Sequence, residues 1–220
     1  MIDIFFISFL VALTGALSPG PVLTFTVYKS LQSKTGYLAG LLITLGHALL
    51  ELILLFFILL GGKILFQNLI VLIIIGIVGG FVLVLYGVFT IKTVYNKEYS
   101  VDFDITEEDI KGYHGNSFFG GIVTSLSNPY WIGWWVTTGL ALMASFNLIN
   151  FENPVGIALF FVGHELGDLL WFGSISIFVF LGGKSLNPKI YKYVLIICGG
   201  FMVFFGGYLI TRTIFFPPTV

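Results

Sequence analysis

The sequence predicts an all-α membrane protein of six transmembrane helices, arranged as two inverted three-helix repeats, with helices one and four broken near the core. Three observations lead there. Apolar residues make up 57% of the 220 and the mean hydropathy is +1.02, which leaves too little polar surface to coat a soluble globule. Apolar windows long enough to span a bilayer recur six times. Three motifs of the first half return, in the same order, in the second.

The first window, Ile4–Val27, contains Ser18-Pro19-Gly20-Pro21. Pro19 and Pro21 lack the N–H groups that would have bonded the carbonyls of Gly15 and Leu17, and their rings crowd the preceding turn. In hydrocarbon an unsatisfied carbonyl is expensive, so non-helical backbone is expected there only where it is buried in protein or lines a wet cavity. The motif marks either a binding site or a plain proline kink repaired by neighbouring helices and Ser18. The start, Met1-Ile2-Asp3-Ile4, has no basic n-region, and the first window is expected to be a retained span rather than a cleaved signal.

Further windows lie at Gly36–Leu60, Gln67–Ile91, Phe118–Leu142, Val155–Leu181 and Tyr191–Ile210. The connections are short except for 92–116, which carries Glu98, Asp102, Asp104, Glu107, Glu108 and Asp109. This acidic linker divides the chain into a first three-helix repeat, 1–91, and a second, 117–220. Lys29, Lys34, Lys92, Lys97, Lys111, Lys184, Lys189 and Lys192 fall on the side of the odd connections, against Lys63 and Arg212 on the other. The lysine-rich side is therefore expected in the cytoplasm, with both termini outside a multi-pass cell-membrane protein.

The repeat rests on three correspondences. Leu17-Ser18-Pro19 answers to Leu126-Ser127-Asn128-Pro129, Gly46-His47 with Glu51 answers to Gly163-His164 with Asp168, and Gly79-Gly80-Phe81 with Gly87 answers to Gly199-Gly200-Phe201 with Gly207. Each unit has an odd number of spans, so the second copy must enter from the opposite side. Inverted repeats of this kind place a site at their interface near the midplane.

Glu51 and Asp168 are the strongest individual signals, since a carboxylate at the centre of an apolar span costs about 2.5–3.5 kcal/mol on insertion scales. Each has a histidine four residues earlier, His47 and His164, which puts the pair on one helix face. Such groups suit proton uptake and release, or neutralisation of a cationic substrate. Two alternatives stay open: each pair stitches helix to helix, or the four groups form a divalent-metal site. The role of Glu165, beside His164, is also open. At the second break, Pro129 removes the N–H that would have bonded the Ser125 carbonyl, while Ser127 and Asn128 can cap the exposed backbone. Half-helix N-termini suit a carboxylate and freed carbonyls suit an ammonium, a match to a zwitterion. Ser18, Pro19, Gly20, Pro21, Ser127, Asn128 and Pro129 are thus the candidate substrate-binding residues. Tyr130, Trp131, Trp134 and Trp135 follow directly, as a cavity wall, a cation–π face or an interfacial belt.

The rest of the composition excludes more than it adds. A net charge of −1 with 10% charged residues gives no basic patch for nucleic acid. The single cysteine, Cys198, excludes an intrachain disulfide. An intramembrane enzyme would need a nucleophile or a loop-borne site, and neither is evident, so no enzyme and no cofactor is expected. The expected partners are a small-molecule substrate and the bilayer, with a homo-oligomer left open.

Pro19-Gly20-Pro21 in helix one, Asn128-Pro129 in helix four and Asp168-Leu169-Leu170-Trp171 in helix five resemble the LysE family of amino-acid exporters, which includes RhtB-type proteins. Length and span number extend the resemblance over nearly the whole chain. It implies a secondary transporter that exports an amino acid or similar zwitterion by proton antiport. The Gly46-His47 and Gly163-His164 motifs depart from that pattern, and the alternative they support is a divalent metal-ion exporter using His47, Glu51, His164 and Asp168.

Overall fold

A computed structural model describes all residues except 18–19, 33, 67, 97–114, 149–150, 183–187 and 217–220. The described residues are helical with no strands. In chain order the helices are α1 (Ile2–Ala16), α2 (Pro21–Gln32), α3 (Ala39–Phe66), α4 (Leu69–Asn96), α5 (Ser117–Leu126), α6 (Pro129–Trp134), α7 (Leu140–Ser145), α8 (Pro154–Phe180) and α9 (Pro188–Phe215). A 3-10 turn, Gly36–Leu38, leads into α3, and a π-helical turn, Trp135–Gly139, joins α6 to α7.

Local chemistry sets the ends of these helices. Pro21 and Pro154 occupy first helical positions, where a missing N–H leaves nothing unbonded. The side chains of Asn116 and Asn153 accept from Phe118 N–H and Gly156 N–H, each at 2.8 Å, and cap α5 and α8. Between α1 and α2 the chain bends by 75°. Ser18 and Pro19, at the centre of that break, lie outside the described residues.

Among the described residues, four helical stretches are long and apolar enough to cross a membrane: Gly36–Gly61, Leu69–Lys92, Pro154–Phe180 and Leu195–Phe215. Counting the bent pair α1–α2 as one span makes five. The window expected at Phe118–Leu142 is occupied by α5, α6, the π-turn and α7, each too short alone. Helix α4 continues to Asn96, five residues past its apolar window, because Lys92–Asn96 contains neither proline nor glycine to stop it. The acidic residues expected in the linker, together with Lys97, Lys111 and Lys184, lie outside the described residues.

Glycines set how closely the helices approach. A Cβ at Gly80 of α4 would stand 2.8 Å from the Gly206 carbonyl oxygen of α9, and one at Gly206 would stand 2.5 Å from that of Gly80. Gly87 and Gly199 repeat the reciprocal contact one turn pair away. Gly163 and Gly167 let α8 lie on the backbone of α1 at Phe5 and Phe9, where Ser8 Oγ also donates to the Phe160 carbonyl at 2.7 Å. Gly46 of α3 and Gly121 of α5 allow the corresponding approach of those two helices. Small residues of this kind give membrane helices their van der Waals contact where lipid supplies no hydrophobic drive. Gly206→Val should therefore lower thermal stability by ~1–3 kcal/mol through overpacking, whereas Gly207→Val, whose Cβ would meet nothing within 4 Å, should change it far less. Thermal unfolding of the two purified variants in one detergent checks this.

Candidate functional site

The helix packing brings four ionisable groups from two helices to one point. His47 and Glu51 project from one face of α3, and His164 and Asp168 from one face of α8, each pair four residues apart. All four are buried, Glu51 most completely at 1% exposure. The cross contacts are as close as those within each helix. His47 Nε2 lies 3.1 Å from Glu51 Oε1 and 3.3 Å from Asp168 Oδ2, while His164 Nε2 lies 3.2 Å from Glu51 Oε2 and 3.9 Å from Asp168 Oδ2.

The second break supplies the next layer. Trp131, in α6, and Trp135, opening the π-turn, are four residues apart, and both indole Nε1–H groups donate to Glu51 Oε1 at 2.7 Å. Indole is a donor only, and its bonds to a carboxylate are charge-assisted. From α5, Ser125 Oγ donates to the Gly121 carbonyl at 2.6 Å and lies 2.6 Å from His47 Nδ1. With the serine hydrogen on the carbonyl, Nδ1 supplies the hydrogen of the His47–Ser125 bond. In the neutral ring Nε2 then turns a lone pair toward the carboxylates. His164 sits among aromatic rings, 4.8 Å from Trp134 and 5.6 Å from Trp135 between centroids. The carboxyl oxygens of Glu165 are also covered from solvent, and this side chain interacts with Glu51 and Asp168.

The cluster forms one wall of a cavity of about 370 Å³. Gly20, Pro21, Val22 and Leu23 at the start of α2 line it, and so does Asn128 of the second break. A Cβ at Gly20 would stand 3.8 Å from Asn128 Nδ2, so the two breaks face each other. The N–H groups of Val22 and Leu23 precede the first bond back along α2, from Thr24 N–H to the Gly20 carbonyl at 3.0 Å.

The other expected site residues are placed differently. Ser127 is exposed and donates to the Val123 carbonyl at 2.7 Å. The Ser125 carbonyl, opposite the missing N–H of Pro129, accepts instead from Asn128 N–H at 3.0 Å, so the turn closes on itself. Pro129 begins α6. Ser18 and Pro19 lie outside the described residues. Ser125 and the paired indoles of Trp131 and Trp135 are the partners that residue type alone did not reveal. Their sequence signal was the four-residue spacing of the tryptophans directly after a break.

An all-helical bundle with several membrane-crossing helices, a cavity in its interior and ionisable groups buried at its wall defines a multi-pass membrane transporter. The family model of the LysE type translocator matches residues 13–213, and the chain belongs to that family. No curated protein and no solved structure matches it.

Removing one indole donor from Glu51 Oε1 leaves a buried carboxylate under-bonded. Trp135→Phe should therefore destabilise the protein by ~1.5–3 kcal/mol, the range for hydrogen bonds to charged groups. Trp134→Phe, whose Nε1 has no hydrogen-bond partner among the described residues, should do so less. Comparing the unfolding midpoints of the two variants with that of wild type tests the assignment.

Proposed function

We propose that this protein is a secondary exporter that carries an amino acid or similar small zwitterion out of the cytoplasm in exchange for protons. The observation that carries this reading is a cavity in which two helix breaks meet four buried ionisable groups. Its volume of about 370 Å³ suits a small-molecule ligand. The substrate carboxylate is given to the start of α2, where Gly20, Pro21 and the early N–H groups lie at a positive helix end. Ser18 and Pro19 belong to the same break. Asn128 faces it across the cavity, with Ser127 and Pro129 shaping the second break. The substrate ammonium and the driving proton are given to Glu51 and Asp168, with His47 and His164 as their partners.

The architecture proposed to support this is six spans in two inverted repeats, 1–91 and 117–220, joined by the linker 92–116. In it α1–α2 form one bent span, and α5 through α7 form one broken span. Exchange of His47 with His164 and of Glu51 with Asp168 carries the 3.3 Å cross contact onto the 3.2 Å one, as a two-fold relation requires. The reciprocal contacts of Gly80 with Gly206 and of Gly87 with Gly199 fit the same relation. They do so one residue away from the register of the sequence motifs, pairing Gly80 with Gly199 and Gly87 with Gly206. Both termini are placed outside the cell membrane by the lysine distribution. Association into a homo-oligomer is compatible with this arrangement and is not required by it.

The test is efflux from proteoliposomes loaded with labelled amino acids, with and without an imposed pH gradient. Wild type should release at least one amino acid faster when protons can exchange for it, and Glu51→Gln should slow that release roughly tenfold or more. Gradient-independent behaviour across a full panel of amino acids overturns the exporter, and wild-type rates in Glu51→Gln remove Glu51 from the coupling.

A further inference from the structure

Two carboxylate oxygens deep in the protein, Glu51 Oε2 and Asp168 Oδ2, have no well-aligned hydrogen bond among the described residues. Their residues are 1% and 5% exposed, so bulk water does not satisfy them. An imidazole Nε2 stands 3.2 Å from the first and 3.3 Å from the second, within ion-pair range. Such separations also suit groups that share a third atom. Ligands about 2.0–2.2 Å from a zinc-sized ion lie about 3.3–3.6 Å apart at the vertices of a tetrahedron. The three Nε2 separations from Glu51 Oε2 and Asp168 Oδ2, at 3.2, 3.3 and 3.9 Å, fall around that edge length.

Three further features point the same way. Ligand atoms of His47, Glu51 and Asp168 all lie within 4.8 Å of one another. The indoles of Trp131 and Trp135 occupy Glu51 Oε1 and leave Oε2 to coordinate. The bond from His47 Nδ1 to Ser125, itself anchored on the Gly121 carbonyl, is the outer-shell contact that fixes a metal-binding imidazole with its Nε2 lone pair facing inward. Imidazole nitrogen together with carboxylate oxygen suits divalent first-row transition ions better than magnesium or calcium, which take oxygen ligands.

We propose that His47, Glu51 and Asp168, with His164 beside them, form a binding site for one divalent first-row transition cation. The site stands on the geometry of the cluster. Its effect on transport rests on the exporter reading: an ion there takes the place given to the substrate ammonium and blocks export.

The probe is Co²⁺, titrated at fixed pH into the purified full chain in detergent and followed by its visible d–d absorption. Saturation at one ion per chain is expected, with displacement by Zn²⁺ and not by Mg²⁺, and with a rise in unfolding temperature on adding Zn²⁺. His47→Gln and Asp168→Asn should abolish saturable binding. Ser125→Ala, which keeps every ligand, should weaken it about 10–100-fold, and His114→Gln, at the remaining histidine of the chain, should leave it unchanged. No saturable Co²⁺ binding, or wild-type binding in both ligand variants, overturns the site; if those variants fail to fold, an unchanged affinity in Ser125→Ala does so. Metal binding without amino-acid transport would leave the site standing and remove the exporter. Amino-acid transport without metal binding would do the reverse.

Discussion

The constraint on which the rest depends is that four ionisable side chains are buried together in an apolar bundle. An isolated carboxylate in such a place would be prohibitively costly, and compensation must come from neighbours fixed in the right geometry. Glu51 shows how much structure that requires. Its two oxygens are addressed by His47 from its own helix, by His164 from α8, and by the indoles of Trp131 and Trp135 from beyond the second break. The interruption of the helix after α5 is therefore coupled to the charge at the centre, because it sets the start of α6 and of the π-turn after it, which present one indole each. Glycine contacts complete the arrangement by letting α8 lie on α1 and α3 on α5, so that the acid-bearing helices are held from outside as well as across the cluster.

The parts of this arrangement that were legible in the sequence were those carried by energetic cost. Glu51, Asp168 and their histidines stood out because ionisable residues are rare in long apolar windows and because a spacing of four puts each pair on one face. The fifth window, Val155–Leu181, and helix α8, Pro154–Phe180, agree within a residue at each end, since Pro154 and its Asn153 cap are explicit start signals. At the other extreme, α4 outran its window, because hydropathy measures fit to a bilayer and a helix continues as long as its backbone bonds can form.

Other parts were hidden for a physical reason. Tryptophans after a break read equally well as belt, wall or packing, and only the path of the chain decides that two indoles converge on one oxygen. Ser125 looks like any small residue in a membrane helix until α3 brings His47 against it. The π-turn at Trp135–Gly139 is a change in which carbonyl each N–H selects, and residue composition carries almost no mark of it. The glycine motifs were visible as small-residue faces, but their partners across α4 and α9 depended on a helix crossing that no local pattern specifies.

The cross pairs of the cluster have a mechanical corollary. Since each links a group on α3 to one on α8, parting those two helices at this depth would break both cross contacts at once and leave each acid only its partners on its own side. The breaks before α2 and between α5 and α6 lie outside those two contacts, at the ends of short helices rather than along α3 and α8.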